Sequence, residues 1–393
     1  MFSKRTSWSL EKNPLTHLYE DLKSQGCDIL DLTVSNPTKC HIDYPEEKIL
    51  NPLLNKENIL YQPVSSGLVS ARESVSSIYE EVGISIDPSC VILTSSTSEA
   101  YSFLFRLLLD EGDHILLPRP SYPLFEFLAN LNDVNADFYS LTYDQNWKID
   151  FKKLEALIGE KTRAIVLVNP NNPTGSFVSA EELEEINKIC KKHNISIICD
   201  EVFFDYDFQS SGCGGDSLVH NQEVLTFVLG GLSKALGLPQ MKLSWILTSG
   251  PNQQVDEALG RLEIICDTYL SVSTPSQNAL SDWLSLKTDM QKRIKSRLES
   301  NLLTFNKILH ERKDLLEMRN PQGGWYAIAK ILRNVEEEKL VYDLLKEKHV
   351  FIHPGYFFDF EDEPYFVFSL LTSPEIFSEG LQRIISYLDV FSE

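Results

Sequence analysis

Long apolar runs are missing from this chain. Nothing in its 393 residues approaches the ~20 consecutive apolar residues that a membrane-spanning helix needs, so no helical span is expected. The opening segment MFSKRTSWSLEKNP has a basic start but no apolar stretch behind it, so it does not read as a secretion signal. Basic residues are scarce, with 36 Lys and Arg against 57 Asp and Glu and a net charge of −21. Such an excess repels phosphate backbones and anionic lipid, and no helix-turn-helix or basic segment precedes the main body, so nucleic-acid and membrane partners are disfavoured. The seven cysteines contain no C-x-x-C pair, which argues against a disulfide framework or a zinc cage and for a reducing, cytoplasmic setting. Cys190 and Cys199 stand among apolar residues and are expected in the core. No metal site is expected. Neither G-x-x-x-x-G-K-[ST] nor G-x-G-x-x-G occurs, so the common nucleotide-binding loops are excluded, and no internal repeat or low-complexity linker is visible.

What the chain does have is a succession of short, nearly continuous apolar runs. They are CVIL (90–93), HILLP (114–118), AIVLV (164–168), SIICD (196–200), LTFVL (225–229) and KLSWILTS (242–249). Runs of this kind fit strands buried on both faces, as in a mostly parallel sheet covered by helices. Helices are expected from about Ser98 to Leu109 and after the capping box Ser179-x-x-Glu182. Beyond residue 285 a polar helical stretch (288–316) leads into WYAIAKIL, a helix near 336–348, VFIH, YFVFSLL and a closing helix. The fold class is therefore read as α/β: a large unit with a mostly parallel mixed sheet between helices, plus a smaller α+β unit. The expected division is an N-terminal arm and part of the small unit (1–44), the large unit (45–285) and the C-terminal small unit (286–393), with the long helix as a bridge.

In an open α/β sheet, ligands bind beyond the carboxyl ends of the strands, which directs attention to the loops there. After AIVLV comes Asn169-Pro170-Asn171-Asn172-Pro173-Thr174-Gly175, in which the prolines restrict φ and the glycine permits positive φ; a plain turn would also fit. SIICD ends on Asp200, a carboxylate that is costly to bury unless it is paired or faces a site. A helix cap or surface pair is the ordinary alternative. LTFVL leads to Gly230-Gly231-Leu232-Ser233-Lys234, and a lysine desolvated there could become a nucleophilic amine, or could merely bind phosphate or solvent. Thr94-Ser95-Ser96-Thr97-Ser98 joins a strand to a helix and could cradle a phosphate, or could simply cap the helix.

Taken in this order, NPNNPTG, ICDEVF and GGLSK make the chain, over about residues 30 to 390, resemble the class I/II aminotransferases of the fold-type I pyridoxal-phosphate superfamily. The resemblance implies pyridoxal 5'-phosphate as cofactor, held by Lys234 as a Schiff base, with the freed amine later acting as proton carrier. It implies that Asp200 pairs with the pyridine nitrogen, that Asn172 bonds the phenolic oxygen, and that Tyr122 stacks on the ring. Ser95, Ser96, Thr97 and Ser233 would hold the phosphate. Tyr61 in YQPVSSG and Thr274 in SVSTPSQ would reach across a homodimer interface, giving composite active sites. The substrates implied are an amino acid and a 2-oxo acid.

The chain departs from the family pattern at three places. Lys242 stands where a phosphate-binding arginine is usual, keeping the charge but losing the planar fork. Phe203 stands where a tyrosine usually donates to the phenolic oxygen, which implies a higher pH optimum. Val367, in the strand YFVFSLL, stands where an arginine usually clamps the substrate carboxylate. Lys39 and Arg119 are the candidate replacements, with ordinary surface charge as the alternative reading of each. Trp325 and Tyr356 lie in segments resembling those on the substrate side, or pack within the small unit. A carbon–sulfur β-lyase of the same fold is the competing enzyme reading, and a non-catalytic cofactor-binding regulatory module is the other.

Overall fold

The computed structural model describes residues 1–208, 216–361 and 364–390. One of the seven cysteines, Cys213, lies outside them.

The large sheet has eight strands. In chain order they are β1 (Val91–Thr94), β2 (His114–Arg119), β3 (Asn135–Asp144), β4 (Asn146–Ile149), β5 (Thr162–Val168), β6 (Ser196–Asp200), β7 (Thr226–Gly231) and β8 (Ser244–Ser249). Their spatial order is β1-β8-β7-β6-β5-β2-β3-β4. The run from β7 to β3 is parallel throughout, while β8 and β4 are antiparallel to their neighbours. The apolar runs read from sequence thus form the sheet, with ends shifted by one or two residues.

The reason is visible in the packing. Along β5 and β6, Ile165, Leu167, Ile197 and Cys199 face one apolar core, and Ala164, Val166, Val168 and Ile198 face the other. Each fully buried aliphatic side chain contributes roughly 1.5–3 kcal/mol, so a sheet covered on both faces tolerates polar groups at its strand ends. The hairpin β3–β4 was not legible as strands. Only Tyr139, Trp147 and Ile149 in it are buried, its other residues being partly buried or exposed, and Gln145 turns it with a left-handed φ of 64°.

Helix α1 (Thr97–Leu108) follows β1, and α2 (Ala180–His193) carries the expected capping box at Ser179 and Glu182. The long helix α3 (Lys287–Glu311) is shorter than the polar stretch suggested, because the chain enters a strand at Leu316. Its buried residues recur at helical spacing. Met290 joins the core under the large sheet, whereas Ile294, Leu298, Phe305 and Leu309 join the core of the small unit. That unit is built on an antiparallel sheet of β9 (Leu316–Arg319), β10 (Tyr326–Ile331), β11 (His353–Pro354) and β12 (Tyr365–Ser369), in the order β9-β10-β12-β11. Leu15, Leu30 and Leu32 pack into the same core, and Leu30–Asp31 pairs in parallel with Val350–Phe351. Among the described residues, no helix is long and apolar enough to cross a membrane.

Glu182 does more than complete a cap. One carboxylate oxygen accepts from the Ser179 N–H at 2.9 Å and the other from the Ile149 N–H at 2.8 Å, tying α2 to the β3–β4 hairpin. Ser179→Ala should cost about 1 kcal/mol, and Glu182→Ala about 2 kcal/mol because two partly buried N–H groups lose their acceptor. Urea unfolding of the two variants checks the ranking, and equal losses would contradict the second role.

Candidate active site

β5, β6 and β7 are adjacent and parallel, and Val168, Asp200 and Leu229 are in register across them. The loops that follow therefore leave the sheet at one edge, where they surround a cavity of about 180 Å³. Of the residues expected from sequence, Thr97, Tyr122, Asn172, Asp200, Phe203, Ser233 and Lys234 line it.

Lys234 lies in the short helix Leu232–Ala235, directly after β7. Gly231 permits the chain to enter that helix, since a Cβ there would meet Ser244 Oγ at 2.3 Å. The Lys234 backbone carbonyl accepts from the Tyr206 hydroxyl at 2.6 Å. Its amine stands 4.8 Å from the ring centroid of Trp325 and 5.3 Å from that of Phe203. Burial lowers the amine to a pKa of about 8, against the opposing pull of Asp200. A neutral, nucleophilic form is thus available near neutrality, which an ordinary lysine offers only above pH ~10.

Asp200 is held from two sides. Val202 N–H donates to Oδ1 at 3.1 Å, and the Tyr101 hydroxyl donates to Oδ2 at 3.1 Å. Burial pushes its carboxyl up to about 6, while the Val202 and Tyr101 donors and the Lys234 charge pull the other way. Glu201, next in sequence, faces away into a polar cluster, accepting from Ser217 Oγ at 2.6 Å and Leu218 N–H at 2.8 Å. Asn169 amide nitrogen donates to it at 3.4 Å, linking the strand end to the NPNNPTG turn. That turn is closed by Gly175, which takes φ +71° where a Cβ would stand 2.5 Å from the Gly323 carbonyl oxygen. On its inner side, the Asn172 amide oxygen is buried without a hydrogen-bond partner.

The serine-rich loop is partly committed to its own helix. Ser96 caps α1 by accepting from the Glu99 N–H at 3.1 Å, and Ser95 N–H donates to the Glu99 carboxylate at 2.7 Å. Thr97 and the neighbouring Ser98 line the cavity, whereas Ser95 and Ser96 do not. The S-x-x-E spacing from Ser96 to Glu99 was the signal for this capping role.

Other candidates lie elsewhere. Lys242 is exposed, with a left-handed φ of 50°. Lys39 is exposed at the end of the turn Pro37–Lys39. Arg119 is paired with Glu361 and lines a different cavity. Trp325 is fully buried beneath the Lys234 amine, and Tyr356 packs on Phe357. Tyr61 is 76 % exposed, and Thr274 begins a short helix; neither borders the cavity. Val367 is buried among Trp147, Ile328, Phe358 and Tyr365. Among the described residues, Lys234 is the one cation lining the cavity. Tyr101, Ser35 and Tyr326 were not named from sequence: Tyr101 reads as a core residue of α1, while Ser35 and Tyr326 lie in the segments SNPTK and GGWYAI, where attention fell on Lys39 and Trp325 instead.

Comparison with known proteins agrees with this geometry. The glutamate–pyruvate aminotransferase AlaA of Haemophilus influenzae is 26% identical over 392 residues, covering 95% of this chain and 93% of that protein. The alanine aminotransferase of Mycobacterium bovis is 27% identical, covering 85% and 79%. Among solved structures, the alanine aminotransferase of Pyrococcus furiosus superposes with a TM-score of 0.87 at 25% identity, covering 99% of this chain and 100% of that one. The family described as aminotransferase class I and II matches residues 28–384. This chain belongs to that family and has its fold, the large mixed sheet with a smaller antiparallel unit.

Proposed function

We propose that this enzyme moves an amino group between an amino acid and a 2-oxo acid using pyridoxal 5'-phosphate bound covalently to Lys234. One observation carries the reading: a desolvated amine and a desolvated carboxylate, at the ends of neighbouring parallel strands, share one cavity. The residues present fit the cofactor, since one end of the buried Asn172 amide has no partner, an end that becomes a donor when the amide is turned over to exchange its O and N, and the helix N-terminus at Thr97 offers N–H groups to a phosphate. When bound, the cofactor supplies an electron sink that stabilises negative charge developing at the substrate α-carbon.

The chain's own groups do the rest. Lys234 Nζ would hold the cofactor covalently, and its neutral amine would carry the proton to and from the substrate α-carbon. Asp200 keeps a proton on the ring nitrogen, and Tyr101 orients Asp200. Asn172 donates to the phenolic oxygen, Tyr122 covers one ring face, and Thr97, Ser98 and Ser233 hold the phosphate. Phe203 and Trp325 exclude water around the amine, Phe203 contributing no hydrogen bond of its own. Lys242, exposed and outside the cavity lining, is left without a part in holding the phosphate within this chain.

Tyr61 fits a role in a second subunit's site. It lies in a strip with Leu54, Ile59 and Ile264, which are 79%, 86% and 71% exposed. Ser65 reaches Glu263 at 3.4 Å, so the two segments form one face. An apolar face of this kind calls for a partner, and a second copy of the chain is the proposed one, with Thr274 also directed to the shared site. The assignment of part of residues 1–44 to the small unit is supported by Leu15 and Leu30 packing in its core, and that of the chain after 286 by Ile294, Leu298, Phe305 and Leu309 in the same core.

Lys234→Ala should lose cofactor that borohydride fixes to the wild-type protein, read by mass spectrometry; equal labelling of the variant would refute the lysine assignment. Half-transamination should appear when amino acids are scanned for conversion of the cofactor to its amine form. Release of pyruvate and ammonia from cysteine conjugates without it would indicate the lyase instead. Because the amine is neutral only above its pKa, the rate of cofactor attachment to cofactor-free protein should climb with pH and level off above about 8. A stopped-flow profile still rising steeply at pH ~10, as for an ordinary lysine, would contradict the desolvated amine. Tyr101→Phe removes a donor that favours the ionised Asp200, so the acid limb of the activity profile should move to higher pH, by up to about one pH unit. An unmoved limb would mean that Tyr101 does not tune the carboxylate.

A further inference from the structure

Arg119 ends β2 just before the Ser121-Tyr122 segment of the active site, yet its guanidinium lines a separate cavity of about 340 Å³. This cavity lies between the β3–β4 hairpin, which contributes Tyr143 and Trp147, and the small unit, which contributes Arg319, Phe360, Glu361 and Tyr365. Its residues take no part in the chemistry described above.

Both guanidinium groups are braced by aromatic rings. Arg119 stands 4.3 Å from the Phe138 centroid and Arg319 stands 4.2 Å from that of Tyr143. Each is also met by a carboxylate at the surface: Glu361 pairs with Arg119, and Glu317 with Arg319 at 2.7 Å. Glu361 is 52% exposed, so its carboxylate can leave for solvent at little cost. Two donors remain unused, the Arg119 Nε–H and the indole N–H of Trp147, both buried without an acceptor. Such donors are costly in a protein interior unless a ligand supplies the missing oxygen. The walls are aromatic, with Trp147 5.3 Å from Tyr143 and 5.8 Å from Phe360, and Phe360 4.4 Å from Tyr365. Arg119, Arg319 and Lys153 line the space together with the acids Asp359 and Glu361.

The geometry points to a second binding site, for a small organic acid with a planar apolar body. Its carboxylate takes the place of Glu361 on Arg119, and its body lies against Tyr143, Trp147 and Phe360. Glu361 is then an internal competitor, already presenting to Arg119 the group that the ligand brings. Because the walls come from both units, an occupied site bridges the large and small units beside the active-site segment. This site is independent of the catalytic reading above.

Isothermal titration of the full-length protein with benzoate tests it, with the cofactor absorbance followed in parallel. The wild-type protein should bind benzoate without a change in that absorbance. Glu361→Gln, a change at an exposed acid, should tighten binding by up to about fivefold, the scale of an exposed ion pair. Arg119→Gln should abolish it. Binding that tracks the cofactor absorbance would place benzoate in the Lys234 cavity and overturn the proposal. So would unchanged or absent binding in Glu361→Gln, which decides the matter even if Arg119→Gln fails to fold.

Discussion

Desolvation of Lys234 is the constraint on which the rest of the structure depends. An amine placed against Trp325 and Phe203 loses water that its charged form needs, and its proton affinity falls to about 8. The same edge of the sheet desolvates Asp200, and there the effect runs in the opposite direction, raising the carboxyl to about 6. Burial therefore brings an acid and a base toward neutrality from both sides. Neither group would be tolerable on a lone strand. The aliphatic residues facing the two cores of the large sheet outweigh the cost, and the parallel register delivers both strand ends to one place.

The polar groups behind the cavity carry a second layer of organisation. Glu201 collects the hydroxyl of Ser217, the N–H of Leu218 and the Asn169 amide, and Asn169 in turn accepts from the Val178 N–H at 3.0 Å. Burial pushes Glu201 up to about 7, so it sits close to neutrality as well. This cluster ties the loop after β5 to the loop after β6, which sets the separation between Asn172 and Asp200. Adjacent residues thus divide the labour, with Asp200 turned to the cavity and Glu201 fastening the loops that frame it.

The sequence made the central strands and the strand-end motifs legible because their physics is local. Continuous β-branched runs, a Pro- and Gly-bearing turn and a lysine after glycines each announce themselves within a few residues. The β3–β4 hairpin escaped because polar residues fall on both of its faces, Asn135 and Asp137 on one and Asp144 and Asn146 on the other, and interrupt any apolar pattern. Tyr101 escaped for the opposite reason: on α1 it is surrounded by apolar residues and looks like core, while its partner Asp200 is 99 residues away. The serine-rich loop was read too generously, since Glu99 claims Ser95 and Ser96 for the helix cap. Arg119 could not be placed from sequence at all, because Glu361 lies 242 residues further on.

Val367 gives this division its sharpest form. A cation at that position of β12 would enter a cluster of Trp147, Ile328, Phe358 and Tyr365, where its charge would be desolvated. With valine the cluster closes as an apolar contact between the hairpin and the small sheet. The hairpin that was hardest to see in the sequence thereby becomes the element that fills the space an arginine would need. Tyr143 and Trp147 of the same hairpin also line the cavity in which Arg119 and Arg319 stand. Val367 keeps the interior of that contact apolar, and Arg119 and Arg319 stand at the adjacent cavity. Aromatic residues make the contact between the units; the Arg119 side chain stays partly exposed beside Glu361, whereas the buried Arg319 is met by Glu317.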